Sequence, residues 1–184
     1  MPKKFEKEFI SYCENQNLEV NPNQIKVIKK LEDYHNSNYK SFFSKLFFKQ
    51  KTKKGFYLYG GVGVGKTMIL NFFYDHLEEK KLKKHFNEFM LGFHDFVHEQ
   101  KEKNEENVIN QFVKNLKSKA SLVYFDEFQV TNIVDAMILG KLFEQIFKED
   151  IKIILTSNTK ISELYKEGLQ REQFIPFIKI MEDQ

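Results

Sequence analysis

The sequence predicts an α/β fold, a parallel sheet with helices on both faces, preceded by a helical N-terminal extension. Three observations predict it. From Gly55 onward, short apolar runs alternate with longer amphipathic stretches, the pattern of strands joined by crossover helices. Between the first run and the first stretch lies Gly60-Gly61-Val62-Gly63-Val64-Gly65-Lys66-Thr67, a glycine-rich loop where strand turns to helix. A later apolar run, Leu122 to Phe125, ends in two adjacent acids, Asp126 and Glu127. Chemistry is therefore expected at the carboxyl ends of the strands.

Residues 1–54 read as a helical, polar-rich extension packed on the core. Ile25, Ile28 and Leu31 recur at helical spacing, and Phe42, Phe43, Leu46 and Phe47 form a second stripe. Asn21-Pro22-Asn23 marks a turn or a helix start. Residues 55–184 form the core. Phe56–Tyr59 is the first strand and Lys66–Glu79 the helix after the loop. His85–Phe89 is read as the second strand, followed by a helix to about Gln100. The charged stretch 101–107 is a solvated turn, with a further helix to about Leu116. Ser121–Asp126 is the third strand, Asn132–Phe147 a helix and Ile151–Thr156 the fourth strand. Ile161–Lys166 is the last clear helix. No internal repeat is visible.

Composition sets the bounds. The 184 residues fit one domain, or one with a small appendage, and 20 Phe with 41% apolar residues supply a core. No run approaches the roughly 18 apolar residues that span a bilayer. A net charge of +3 demands neither nucleic acid nor anionic lipid, and the Lys clusters at 49–54 and 80–84 read as solvated faces. The single cysteine, Cys13, excludes an internal disulfide and suits a reducing cytosol. The N-terminus has neither the apolar core of a secretory signal nor the Arg-rich character of a transit peptide. Of 29 basic residues one is Arg, at position 171. Where Lys is the default, a retained Arg is a candidate for planar, bidentate contact with phosphate oxygens, or a chance survivor on the surface.

The loop carries the first chemistry. A triphosphate needs a concave row of backbone N–H groups, and Gly60, Gly63 and Gly65 permit the backbone angles and close approach that make one. Gly61, Val62 and Val64 complete the cradle. Lys66 is expected on the β- and γ-phosphates and Thr67 on Mg²⁺, at the positive end of a helix. The second half of the site is Asp126, which can hold Mg²⁺ through water, and Glu127, which can polarise a water for attack. The fourth strand delivers Thr156-Ser157-Asn158 to the same edge. Asn158, with one donor and one acceptor group, can touch both a γ-phosphate oxygen and the attacking water.

Together with Asp135-Ala136-Met137-Ile138-Leu139 and the stretch Gly168 to Ile178, these motifs resemble the ZapE family, AAA+-type ATPases of bacterial cell division related to mitochondrial AFG-like ATPases. The likeness runs from about residue 18 to 180 and is most diagnostic over 126–139. It implies ATP and Mg²⁺ as ligands, Lys66 and Thr67 as the Walker A end, Asp126 and Glu127 as the Walker B pair, and Asn158 as a sensor. It also gives Arg171 a role, reaching into a neighbouring subunit's site to stabilise charge on the transferred phosphoryl group. Val64 and Asn132 stand where the family pattern has Arg and Asp. The family pattern continues into a fifth strand and further structure beyond residue 184, so a longer or second polypeptide is expected to complete the core.

The reading is an Mg²⁺-dependent ATPase coupled to a protein partner, acting as a homo-oligomer in the cytoplasm, near the inner membrane or division site. Two alternatives stand beside it. One is a nucleotide-gated binding module with little hydrolysis; the other is a helicase-loader-like ATPase on DNA, against which the weak charge counts. His94 and His98 are four apart on a helix, a metal-compatible spacing lacking a third ligand. Gln24 is a candidate contact to an adenine base or a helix-start residue. The segment 42–48 is core, or a docking face if exposed.

Overall fold

A computed structural model describes residues 4–39, 53–100 and 104–184. The second Phe stripe and the segment 42–48 lie outside these residues. Two helices come first, α1 (Lys4–Asn15) and α2 (Pro22–Tyr39). Then follow β1 (Gly55–Tyr59), α3 (Lys66–Asp75), β2 (Lys81–His85), α4 (Phe86–Glu99), α5 (Glu105–Lys119), β3 (Leu122–Asp126), α6 (Ile133–Lys148), β4 (Lys152–Ser157) and α7 (Ile175–Asp183). The four strands form one parallel sheet in the order β1-β4-β3-β2.

Strand order explains burial. The inner strands β3 and β4 are buried at every position, whereas β1 and β2 lie at the edges of this sheet and are only partly covered. Continuous apolar runs therefore mark the inner strands, because both faces are roofed by helices. Side chains alternate between two cores. Val123, Phe125, Ile153 and Leu155 join α4, α5, α6 and α7. Leu122, Tyr124 and Ile154 join α1, α2 and α3, through Phe9, Ile28, Leu31, Leu70 and Phe73. The N-terminal helices thus cover one face of the sheet, as the spacing of Ile28 and Leu31 anticipates.

Three elements differ from the sequence reading. The second strand is Lys81–His85, not His85–Phe89. Lysines are tolerated there because on an edge strand their ammonium groups find partners or water. Lys81 Nζ donates to the Tyr74, Asp75 and Leu77 carbonyls, Lys83 Nζ to Asn71 Oδ1 at 2.6 Å, and Lys84 is exposed. Phe86, Phe89, Met90 and Phe93 are buried at helical spacing, so they start α4 instead of ending a strand. The helix after the loop stops at Asp75, four residues short of Glu79, where His76 N donates to the Phe73 carbonyl and Leu77 N to that of Tyr74. Residues 161–166 hold a single 3₁₀ turn, Ile161–Glu163, followed by Tyr165 at φ 52°. The last helix is instead α7, with Pro176 in its first turn and Phe177, Ile178 and Met181 buried.

Candidate functional site

The parallel register brings four strand ends to one edge. Tyr59 pairs with Ser157 and His85 with Asp126, so the loops after β1, β3 and β4 emerge side by side. Gly60 N donates to Ser157 O at 3.2 Å, tying the start of the glycine loop to the end of β4. Gly63 and Gly65 have φ of 81° and 85°, left-handed values that strain any residue with a Cβ. A Cβ on Gly65 would also stand 2.7 Å from Gln24 Nε2. Gly65 precedes α3 with no side-chain cap, so backbone N–H groups of the first turn are left for an anion.

Lys66 is folded back across the loop. Its Nζ donates to Gly60 O at 2.8 Å, Gly61 O at 2.7 Å and Asn158 Oδ1 at 2.9 Å. One ammonium thus links the loops that follow β1 and β4. Phosphate oxygens are stronger acceptors than these neutral groups. Lys66 has three donors already converging where a polyanion would lie.

Opposite stands an acidic wall. Thr67 Oγ1 lies 3.4 Å from Asp126 Oδ1, and the Thr156 hydroxyl also donates to that oxygen. Glu127 is held in the left-handed region at φ 56°. Its N–H donates to Thr156 Oγ1 at 3.0 Å and Asp126 Oδ1 at 3.1 Å, and the following Phe128 N donates to Thr156 O at 2.7 Å. These bonds turn the chain sharply, so Asp126 is 4% exposed while the Glu127 side chain projects into solvent. Its carboxylate lies 3.9 Å from the His85 ring at the end of β2. Ser157 Oγ fixes the turn from the other side by donating to Phe128 O at 2.9 Å. Between the walls is a cavity of about 370 Å³, lined by residues that include Val62, Gly63, Gly65, Lys66, Thr67, Asp126, Glu127 and Asn158.

Most of the expected residues therefore converge. Gly60 and Gly61 meet the Lys66 ammonium, and Val64 borders the cradle with its carbonyl accepting from Gln24 Nε2 at 3.3 Å. Arg171 does not line the cavity. It sits in a 3₁₀ turn, Arg171–Gln173, with Nη2 on Ser162 O at 2.8 Å. The histidines part company: His94 Nε2 lies 2.7 Å from Asp135 Oδ1 on α6, while His98 is exposed. Among the described residues no group of three His, Cys, Asp or Glu could hold a metal ion. A hard divalent cation in this cavity would find the Thr67 hydroxyl and the Asp126 carboxylate, oxygen groups of the kind Mg²⁺ takes.

Three contributors escaped sequence reasoning. Thr156 was seen only as part of a strand end; its register, one residue past the Phe125–Leu155 pair, sets its hydroxyl beside Asp126. His85, expected to open a strand, instead closes one, at the edge where the loops meet. Tyr124 keeps its hydroxyl buried beside Asp126. Burial first, and the Asp126 charge beside it, raise its pKa, so it stays neutral.

Comparison with known proteins agrees with this geometry. The family model described as AFG1-like ATPase matches residues 11–184. Lactation elevated protein 1 homolog B of Danio rerio is 41% identical over 140 residues, covering 71% of this chain and 28% of that protein. Cell division protein ZapE of Escherichia coli K12 is 38% identical over 126 residues, covering 68% and 33%. The chain spans less than two thirds of the length of these curated relatives. Among solved structures, the DnaC helicase loader superposes with a TM-score of 0.58 at 13% identity, over 89% of this chain and 88% of that one. AMPPCP-bound DnaA from Aquifex aeolicus gives 0.56 at 15% identity, over 88% and 46%. These two share the fold. With the glycine cradle, the paired acids and a match over nearly its whole length, the chain belongs to the AFG1-like ATPase family.

Proposed function

We propose that this chain binds ATP with Mg²⁺ at the strand ends and hydrolyses it, coupling the reaction to a protein partner. The observation that carries the reading is the Lys66 ammonium, held by the loops after β1 and β4 and facing the Thr67–Asp126 pair across one cavity. Thr67 and Asp126 would hold Mg²⁺, which supplies charge neutralisation for the triphosphate when bound. Lys66 exchanges the Gly60 and Gly61 carbonyls for phosphate oxygens, and Gly63 and Gly65 let the backbone N–H groups wrap them. When Lys66 also exchanges Asn158 Oδ1 for a phosphate oxygen, that amide is free to orient the attacking water. Glu127, exposed and anchored by its own N–H, accepts a proton from that water.

Arg171 is held on Ser162 O, away from its own cavity. A neighbouring copy that presents Arg171 would complete the phosphate contacts with a planar, bidentate cation. The active species in this reading is a homo-oligomer. The cell-division role rests on the name of the ZapE relative; no described helix is long and apolar enough to cross a bilayer.

Phosphate release from Mg-ATP tests hydrolysis. Glu127→Gln is expected to bind ATP as the wild type does and to lose turnover by a factor of about 10² or more. An active Gln variant would remove Glu127 from the role.

A further inference from the structure

The outer edge of β2 is open and carries one sign of charge. Among the described residues no strand pairs with β2 on the side away from β3. Leu122 N donates to Lys80 O, so the backbone groups of Lys80, Leu82 and Lys84 turn toward β3. Those of Lys81, Lys83 and His85 turn outward, a row of donors and acceptors that no strand uses. Side chains alternate along the same strand. Leu82 packs against the core that includes α4, whereas Lys83 Nζ lies over the Tyr124 ring, 5.2 Å from its centre, on the α3 face. Lys81 Nζ is committed to three main-chain carbonyls at the end of α3. Lys83 Nζ gives one hydrogen bond to Asn71 Oδ1, which leaves two of its three donors for another acceptor. Lys80 and Lys84 are exposed.

Residues 80–85 hold four Lys, one His and no acid. Two copies of β2 set edge to edge would oppose Lys to Lys, so the strand rejects its own kind. The same charges favour an extended segment with carboxylates beside Lys83 and Lys84 and an apolar residue beside Leu82. We propose that the outer edge of β2 docks an acidic, extended segment of another protein, which joins the sheet as an added strand. Main-chain hydrogen bonds to Lys81, Lys83 and His85 supply the affinity, and Lys83 and Lys84 select the sequence. A nucleic acid would neutralise the lysines and leave the outward backbone row unpaired. None of residues 80–85 lines the nucleotide cavity, so the docking stands without the triphosphate reading.

The probe is a capped hexapeptide, Thr-Val-Glu-Glu-Val-Thr, whose sequence reads the same in a parallel or an antiparallel register. It is titrated into the full chain without nucleotide and followed by amide hydrogen exchange. Saturating peptide is expected to slow exchange of the Lys83 and His85 N–H groups about tenfold, the worth of one hydrogen bond each. The same peptide N-methylated at both Glu, and single-stranded DNA, are expected to give no protection there. The double variant Lys83→Glu with Lys84→Glu is expected to lose the acidic peptide and to accept Thr-Val-Lys-Lys-Val-Thr instead, which also shows that it has folded. No protection of wild type by the acidic peptide overturns the proposal. Equal protection by the N-methylated peptide or by DNA overturns it as well, because charge alone would then suffice. So does a double variant, folded by circular dichroism, that keeps the acidic peptide or ignores the basic one.

Discussion

The cavity has two walls of different construction. The glycine loop is backbone chemistry on an exposed surface: Val62 is 87% exposed and Val64 52%, and nothing lies within 4 Å of where a Cβ on Gly61 or Gly63 would stand. The acidic wall is side-chain chemistry set into the core, with Asp126, Thr156 and Ser157 buried and Phe128 wholly so. The difference teaches where function and stability are coupled. A change on the loop alters what the chain binds, and its cost to folding is set by backbone angle, not by lost packing. A change on the acidic wall disturbs both, because the turn that aims Glu127 is also part of the core.

The largest expected effect belongs to the buried wall. Phe128 packs 4.3 Å from Phe86 and 5.5 Å from Phe177, ring centre to ring centre. Phe128→Ala should lower stability by about 3–5 kcal/mol in denaturant unfolding and cut turnover as the Glu127 turn loosens. Next is Thr156→Val, which keeps the shape and removes the hydroxyl shared by Asp126 and Glu127 N. It should cost about 1–3 kcal/mol and slow hydrolysis, measured on the same preparation. On the loop, Gly63→Ala meets no neighbour, so the expected cost is the left-handed φ alone, about 1–2 kcal/mol, with nucleotide affinity reduced disproportionately. The smallest effect is at the exposed rim. His85→Ala should shift stability by no more than about 0.5 kcal/mol while changing turnover more than binding, since the ring meets only the Glu127 carboxylate of the site. Equal stability losses for Gly63→Ala and Thr156→Val, with equal losses of affinity, would break the comparison.

Legibility followed the same division. The loop could be read directly, because a cradle for phosphate needs glycines at fixed offsets and a Lys-Thr pair after them. The inner strands were legible too, since strands covered on both faces are continuous apolar runs. The edge strand was not: Lys81 to His85 carries four basic-type side chains in five residues, and its strand character comes from pairing with β3, which local pattern does not carry. Misplacing it hid His85. Helix α7 was missed because Pro176 reads as a breaker until it is seen at a helix start. Thr156 and Gln24 depend on register and on the packing of α2 over the loop, relations between distant segments that spacing along the chain does not encode.

Calorimetric titration of Mg-ATP into the folded chain, beside Lys66→Ala, tests the central claim most directly. The account expects a saturable heat of binding in the wild type and none in the variant, with both chains equally folded by circular dichroism. Absence of any heat in folded wild type, or full binding by the Ala variant, would contradict it.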